Sequence, residues 1–570
     1  WADDTNSPVA PVYSIGKGED GKAVQVIEVK ELPRGARVRF CQDLNTPGPG
    51  IYQLRARVMS DRAMPAEIVL RLAPPPQTPY GADRVELKAG AWTDLSAFAV
   101  LPALQDQVQF LLLFDGAGTI KVGGASLVQV KESELTAEEL KAVRSLVGPD
   151  IGRVDEAKLL AETDERIRKN RTAPMGIEVV DAAGKPVAGA KVRVHHERHL
   201  FFFGSGFDGN LVPREGEDEI DKRHRENFLK IFNYATTHIY WQGYESKERE
   251  YGHEKRVAIA KWCRENGITT RGHPLFWNIS MPKWMPNPMK AEDLRKYMDV
   301  RLEQLSKTLF PHLHDLDVWN ELVNWERFRN QFTDLLREQG KLDVVAHYLK
   351  EVKRLNSQLK VVVNDYENSP RYSALLKELL DRGAPIDIIG QQSHMHQRPW
   401  PLGTVWTTLQ RLSLLNRPIL FSELSVPSGP KVNWNWTTGT GGKPWKTDPE
   451  NEKVQADYIE QLYKLIYSHP SACGIVVWNY SDRYSWLKAP VGYLREDGTP
   501  KPSFERLDNL INKAWRTRGE YTTDAEGKVS VPQAFEGEYT ISVGGATAKA
   551  THSRTEPAKV KVTSSAPASN

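Results

Sequence analysis

The sequence predicts an α/β protein whose main part is a (β/α)8 TIM barrel, with an N-terminal β-sandwich and a small, discontinuous accessory β-domain. Three observations support this prediction. Eight apolar runs alternate with helical patterns through the middle of the chain. The first part of the chain alternates between apolar and polar side chains, which is the period of a half-buried strand. Short strand-like segments with glycine turns lie on both sides of the central region.

The N-terminal segment, residues 1–131, is predicted to be all-β. Residues 51–58 and 66–72 alternate at period two, and residues 108–114 do so roughly. Strands at this spacing favour a sandwich. Residues 132–173 change to a charged, helical pattern that includes a capped helix start, so we expect a helical connector there.

The segments 174–196 and 520–563 have similar sequence patterns. Both carry short alternating runs joined by glycine turns. We expect them to pair into one accessory β-domain, which the central region interrupts.

The central region, residues 197–519, alternates strand-like and helix-like patterns eight times, as a (β/α)8 barrel does. The expected strands are the apolar runs at 200–204, 234–237, 268–273, 316–321, 361–365, 386–391, 419–423 and 475–478. Helical patterns between them include 217–231, 253–266, 291–309 and 452–468. In this fold the carboxyl ends of the strands line the active site.

The composition is that of a globular protein and excludes several classes of function. The chain has 570 residues, too many for one core, and it is 40% hydrophobic and 26% charged. A net charge of +3 gives no reason to expect nucleic acid as a partner. There is no apolar run long enough to cross a membrane. The cysteines are odd in number and widely spaced, which favours neither a disulfide framework nor a metal site.

Two glutamates are the strongest candidates for chemistry. Glu321 and Glu423 each close an apolar run, at the point where a strand would give way to a loop. A carboxylate at the end of a buried strand is costly to desolvate unless it is solvated, paired or used. Two such groups facing each other across a cleft suit a retaining glycosidase, with carboxyl groups about 5–5.5 Å apart. The alternative is two unrelated, exposed acids at strand ends.

Other polar groups fall at equivalent strand ends, which packing alone does not require. They are His273, Asn320, Asn364, Asp365, Gln392, His394 and Trp478. The histidines could instead be structural groups bonded to the backbone, and the tryptophans could be core residues.

With these motifs the sequence resembles glycoside hydrolase family ten, the family of retaining endo-β-1,4-xylanases. The resemblance covers residues 160–545 and rests on six motifs in the family's order. They are Arg271-Gly-His-Pro-Leu-Phe-Trp, Val318-Trp-Asn-Glu, Asn364-Asp-Tyr, Gly390-Gln-Gln-Ser-His, Phe421-Ser-Glu-Leu and Val477-Trp-Asn-Tyr-Ser-Asp-Arg-Tyr-Ser-Trp.

The resemblance implies a role for each of these residues. Glu321 would be the acid/base and Glu423 the nucleophile. Asn320 would touch the sugar 2-hydroxyl, and His394 would hydrogen-bond the nucleophile. The remaining candidates for substrate binding are His238, Tyr240, His273, Trp277, Tyr366, Gln392, Trp478 and Trp486.

One stretch departs from the family's pattern. Members carry a Glu-Asn…Lys-Trp cluster after the second strand, but here Thr236 and Thr237 replace the acid and amide, and Tyr240 replaces the lysine. Asn278 replaces a usual histidine. A site built to bond particular hydroxyls rejects sugars that lack them, so the change bears on substrate more than on mechanism.

We therefore expect an endo-acting retaining β-glycosidase on a plant or algal polysaccharide, with β-1,4-xylan as the default. A different β-linked glycan and a carbohydrate-binding protein without turnover are the alternatives. No cofactor or metal is required, and we expect a monomer whose partner is a polysaccharide or oligosaccharide. The chain begins at Trp1 without a leader, so the protein is either intracellular or, as we expect, secreted, periplasmic or at the cell surface, with its signal peptide removed.

The N-terminal sandwich resembles the carbohydrate-binding modules that accompany such enzymes. It contributes none of the strand-end groups. We expect it to be dispensable for cleaving soluble oligosaccharides, and to aid action on polymers through proximity if it binds glycan; the alternative is a structural spacer.

Overall fold

A computed structural model gives the fold of the chain. It describes all residues except 4, 6–9, 33–35, 46–47, 73–78, 102–107, 148–153, 208–210, 329, 397–398, 430–445 and 565–570.

The N-terminal region consists of two five-stranded antiparallel sheets packed face to face. One has the strand order β1-β4-β9-β6-β7 and the other β2-β3-β10-β5-β8. The strands are β1 (Ala2–Asp3), β2 (Val12–Lys17), β3 (Ala23–Val29), β4 (Val38–Leu44), β5 (Gly50–Ser60), β6 (Met64–Leu72), β7 (Pro79–Leu87), β8 (Thr93–Leu101), β9 (Val108–Phe114) and β10 (Gly118–Val130). Alternate residues of both sheets, such as Leu54, Val58, Ile68 and Leu112, form one buried core.

Three helices follow the sandwich: α1 (Ala137–Val147), α2 (Glu156–Ala161) and α3 (Thr163–Arg171). Before α1, Thr136 Oγ1 accepts a hydrogen bond from Glu139 N. In turn, the carboxylate of Glu139 accepts one from Thr136 N, which completes a capping box. Val143 of α1 packs on Ile51 and Val100 of the sandwich.

The accessory domain is built from two separated segments of the chain. Its sheets have the orders β24-β11-β27 and β23-β12-β25-β26. The strands are β11 (Thr172–Val180), β12 (Lys191–His199), β23 (Arg518–Thr522), β24 (Lys528–Phe535), β25 (Gly537–Val543), β26 (Ala546–His552) and β27 (Lys559–Thr563). Val192, Val194 and Ile541 lie in their shared core.

Eight parallel strands close into a barrel between the two halves of the accessory domain. They are β13 (Phe202–Phe207), β14 (Tyr234–His238), β17 (Thr269–His273), β18 (Asp315–Asn320), β19 (Lys360–Asp365), β20 (Ile388–Gln391), β21 (Ile419–Leu424) and β22 (Ala472–Val477). A small hairpin, β15 (Glu245–Lys247) and β16 (Glu250–Tyr251), follows β14. The predicted fold class, with barrel, sandwich and discontinuous accessory domain, is confirmed.

Helices surround the barrel and complete its outer core. They are α4 (Glu219–Ile231), α5 (Trp241–Tyr244), α6 (His253–Glu265), α7 (Ala291–Thr308), α8 (Gln331–Gln339), α9 (Lys341–Leu355), α10 (Pro370–Asp381), α11 (Leu402–Ser413), α12 (Pro449–Ser468) and α13 (Pro502–Asn509). Phe228, Leu305, Leu349 and Leu462 point from four of them into this core and are fully buried. Among the described residues, no helix is long and apolar enough to span a membrane.

The barrel interior is a packed cluster and leaves no pore at that level. Tyr234, Val362, Ile388, Leu420 and Val476 meet there, one from each of five strands.

We expect Leu420→Ala to lower the free energy of unfolding by about 2–5 kcal/mol, because the closed barrel cannot collapse onto the missing side chain. Leu414→Ala is the matched control, since Leu414 is 51% exposed and its loss should change stability by less than about 0.5 kcal/mol. Urea unfolding followed by tryptophan fluorescence measures both. Equal losses for the two variants would contradict the described packing.

Candidate active site

The candidate site lies at the carboxyl ends of the barrel strands. Glu321 follows β18 directly, and Glu423 lies near the end of β21. Because parallel strands end at the same rim, side chains distant in sequence meet there.

Glu423 is deeply buried, with 4% of its side chain exposed. His394 Nε2 lies 3.0 Å from Glu423 Oε2. Asn364 Nδ2 donates to Glu423 Oε1 at 2.6 Å. His273 Nδ1 is 3.7 Å from the same Oε1. The carboxylate is therefore held by groups from three other strand ends.

Glu321 has a different environment. Trp277 Nε1 donates to its Oε2 at 3.1 Å, and Gln392 Nε2 donates to its Oε1 at 3.3 Å. The guanidinium of Arg327 also contacts Oε2. The backbone of Glu321 has φ = 60°, in the left-handed region that non-glycine residues rarely adopt. Such a conformation persists only where its surroundings hold it.

A chain of neutral amides joins the two carboxylates. Gln392, which donates to Glu321, also donates to Asn320 Oδ1 at 3.0 Å. Asn364, which donates to Glu423, donates to the same Asn320 oxygen at 2.9 Å. The two acids thus belong to one hydrogen-bonded network.

Beneath this network lies a fully buried ion pair. Arg271 and Asp317 are both inaccessible to solvent, and Arg271 Nε donates to Asp317 Oδ1 at 2.9 Å. Arg271 Nη1 donates across the barrel to the backbone oxygen of Ser422 at 3.2 Å. His273 Nδ1 contacts the other oxygen of Asp317, which orients the imidazole toward Glu423.

These contacts set the charge of Glu423. Burial alone would raise the pKa of Glu423, but the nearby charge of His273, the hydrogen bond from His394 and the charge of Arg271 lower it to about 2. The group is therefore ionised at neutral pH. Burial raises the pKa of the neighbouring Asp365 to about 7, although Asp365 accepts hydrogen bonds from the backbone N–H groups of Val323 and Glu367.

Aromatic rings line the rest of the cleft. The ring centroids of His238 and Trp478 are 4.9 Å apart, and those of Tyr240 and Trp277 are 5.7 Å apart. The Tyr240 hydroxyl lies 3.2 Å from His273 Nε2. Trp486 is 46% exposed. Flat apolar faces beside hydrogen-bonding groups are suited to sugar rings.

The structure brings all twelve predicted site residues to this rim of the barrel. The two predicted residues not yet placed lie at its edges: Tyr366 contacts Arg327, and the centroid of the Trp486 ring is 5.5 Å from that of His394. Their roles stay predictions.

Sequence reasoning did not select three residues of the network, Arg271, Asp317 and Arg327, and it named Asn364 only as a polar group at a strand end. Asp317 did carry a signal, because a charged residue in an otherwise apolar strand must be paired. Arg271 and Asn364 lie inside the motifs quoted above. Arg327 has no signal in the sequence.

The residues that depart from the family's pattern have different surroundings in the structure. The side chains of Thr236 and Thr237 are buried, and their hydroxyl oxygens lack a hydrogen-bond partner among the residues that the structure describes. Asn278 is buried beneath the loop after β18, where its Nδ2 donates to Trp325 O at 3.2 Å and Thr333 Oγ1 at 3.1 Å. Asn278 thus supports that loop.

One group of side chains in the described part of the chain has metal-ligand spacing. Atoms of His273, Asp317 and Glu423 lie within 4.8 Å of one another. Arg271 pairs with Asp317 in the same space, so protein groups already balance that negative charge.

Known proteins with similar sequences include enzymes and a regulator. The anti-sigma-I factor RsgI6 of Acetivibrio thermocellus is 24% identical over 398 residues, which cover 67% of this chain and 46% of that protein. Endo-1,4-beta-xylanase 1 of Arabidopsis thaliana is 26% identical over 411 residues, covering 69% and 38%. The chain thus spans less than half the length of either relative.

Among solved structures, the xylanase 10B from Thermotoga petrophila RKU-1 in complex with xylobiose superimposes with a TM-score of 0.47 at 18% identity. That match covers 55% of this chain and 95% of the xylanase. The family model for glycosyl hydrolase family 10 matches residues 209–509, more than half of the chain. The chain therefore belongs to glycosyl hydrolase family 10.

Proposed function

We propose that this protein is a retaining endo-β-glycosidase that hydrolyses a β-linked plant or algal polysaccharide, with β-1,4-xylan as the first candidate. The observation that carries the proposal is the pair of carboxylates at the ends of β18 and β21, joined by one amide network but held in different environments. Glu423 is buried and ionised, as a nucleophile must be. Glu321 lies on the more open side of the network, where a leaving group can reach it.

In the first step, an oxygen of Glu423 attacks the anomeric carbon while Glu321 gives its proton to the glycosidic oxygen. The glycosidic bond breaks, the shortened glycan leaves, and a covalent glycosyl-enzyme forms. In the second step, ionised Glu321 takes a proton from water, whose oxygen attacks the same carbon and releases Glu423. Two inversions give net retention.

The second candidate is a retaining glycosidase of the same fold that acts on another β-linked glycan. The buried hydroxyls of Thr236 and Thr237 favour it, because they stand in place of the acid and the amide that would bind the hydroxyls of a xylose unit. Release of reducing ends from a panel of β-linked polysaccharides, with product sizes, separates the two candidates and distinguishes endo from exo action. A folded protein with no turnover on the whole panel would favour the carbohydrate-binding alternative. That the substrate is a polysaccharide or oligosaccharide, that the protein is a monomer and that it is secreted stay predictions.

We expect Glu423→Ala to lower turnover by about four orders of magnitude while the protein stays folded. Azide should then restore part of the activity by occupying the vacated space, and the product should have the inverted anomeric configuration. Glu265→Ala, at the exposed end of α6, is the control and should keep the wild-type rate. Substantial activity of Glu423→Ala without azide would disprove the nucleophile assignment.

Glu321→Gln should slow substrates with poor leaving groups by about 100-fold or more, and aryl glycosides with good leaving groups far less. Only a poor leaving group needs a proton in the first step. Steady-state kcat/KM across a series of aryl glycosides measures the difference. Equal losses along the series would contradict the acid role.

His394→Gln should move the acid limb of the activity profile to higher pH by about 1 unit. His394 is among the groups that lower the pKa of Glu423, so its loss raises that pKa and protonates the nucleophile at a higher pH. An aryl glycoside with a good leaving group isolates this limb, because its first step does not need the acid. His347→Gln, on the exposed face of α9, should leave the profile unchanged, and an unshifted limb in both variants would refute the role of His394.

A further inference from the structure

The N-terminal sandwich contacts the barrel domain at two points near Glu321: one on α10, which in turn contacts the loop after Glu321, and one on that loop itself. The first is Glu67 of β6, only 2% exposed, whose carboxylate lies between two guanidiniums. Arg37, the residue before β4, is 2.9 Å from Glu67 Oε2, and Arg371, in the first turn of α10, is 3.2 Å from Oε1. A buried carboxylate of one domain is therefore neutralised partly by a residue of the other.

The second point is Arg84 of β7. Its Nη2 lies 2.8 Å from Asp115 of the sandwich and 3.0 Å from Glu326. Glu326 belongs to the short turn Trp325–Arg327, five residues after Glu321. Arg84 thus ties the sandwich directly to the loop after β18.

Both points lead to Glu321 through a short series of contacts. Arg371 Nη1 donates to Asn324 Oδ1 at 3.4 Å, and Asn324 Nδ2 donates to the Tyr366 hydroxyl at 2.7 Å. The same hydroxyl accepts from Arg327 Nη1 at 3.0 Å, and Arg327 contacts Glu321. The guanidinium carbon of Arg327 also lies over the rings of Phe328 and Tyr366, at 4.3 and 4.9 Å from their centroids.

We propose that the N-terminal sandwich positions the catalytic acid, with Glu67 and Arg84 as positioning residues that hold the loop at residues 321–328. The proposal rests on the proposed function of Glu321. It differs from the expectation that the sandwich is dispensable for short substrates, because an appendage that acts only through proximity needs no contact with the acid's loop.

The physical reason lies in the backbone of Glu321. Its left-handed conformation, at φ = 60°, is unfavourable for a glutamate and must be held from outside. Beyond Glu321, the described part of the chain before α8 forms one short turn, Trp325–Arg327. Loss of Glu67 or Arg84 removes the sandwich partner of Arg371 or of Glu326 beside the cleft, and a misplaced proton donor costs rate far beyond its own contacts.

A helical contact reinforces the arrangement. Helix α1 packs against β8 of the sandwich and also against α11 of the barrel. The sandwich is therefore attached to the barrel through α1 as well as through Glu67 and Arg84.

The test uses the full-length protein with Glu67→Gln and Arg84→Gln, each of which removes one contact point. We expect kcat/KM for aryl glycosides with poor leaving groups to fall about 10-fold or more, while substrates with good leaving groups lose less than about 2-fold. Glu28→Gln and Arg57→Gln, exposed positions in the opposite sheet, are the matched controls and should behave as wild type. A uniform loss across leaving groups would overturn the positioning role.

A second measurement does not depend on activity. Amide hydrogen exchange of the peptide that covers residues 321–328 should speed up in Glu67→Gln and Arg84→Gln, but not in the two controls. Unchanged exchange would refute the proposal, whatever the rates. If one variant fails to fold, as its thermal unfolding would reveal, the other still tests one contact point. Failure of the proposed function would appear separately, as absent turnover of the wild type on every glycan.

Discussion

The site depends on one constraint: every charge buried at the rim of the barrel must have a partner. Asp317 inside β18 would be prohibitively costly alone, and Arg271 balances it from β17 while also bonding the backbone of β21. That pair fixes His273, and His273 in turn faces Glu423. The groups that keep the barrel closed are thus the same groups that keep Glu423 ionised.

The two glutamates differ because their elements differ. Glu423 lies near the end of a strand, where its backbone N–H donates to Gln392 O at 3.0 Å, and side chains from three other strand ends surround its carboxylate. Glu321 lies one residue beyond its strand, with a strained backbone and a guanidinium from its own loop. Two equal carboxyl groups acquire unequal roles when one is enclosed by the barrel and the other is attached to a loop.

The sequence was sufficient for the barrel because strands buried on both faces appear as continuous apolar runs. The first barrel strand shows where apolar runs fail to predict strand bounds. The run predicts a strand at residues 200–204, but β13 spans Phe202–Phe207. Beyond Gly204 the strand continues through Ser205 and Gly206, which carry no hydrophobic signal. Gly204 is needed there, since a Cβ would come within 2.7 Å of the Tyr234 backbone oxygen. The strand-end glutamates were predictable from position, whereas Glu67, Arg84 and Arg327 look like any other surface charges until the fold brings them together.

Among the described residues, the sandwich contacts the side of the cleft that carries Glu321. Glu423 is held instead by side chains from other strand ends of the barrel. Glu321 lies on a loop, where Trp277, Gln392 and Arg327 contact its carboxyl group. Arg371 donates to Asn324 of that loop and Glu326 belongs to it, and both of these residues are paired with the sandwich. Under the proposal that Glu321 is the catalytic acid, these contacts couple a domain outside the barrel to proton transfer.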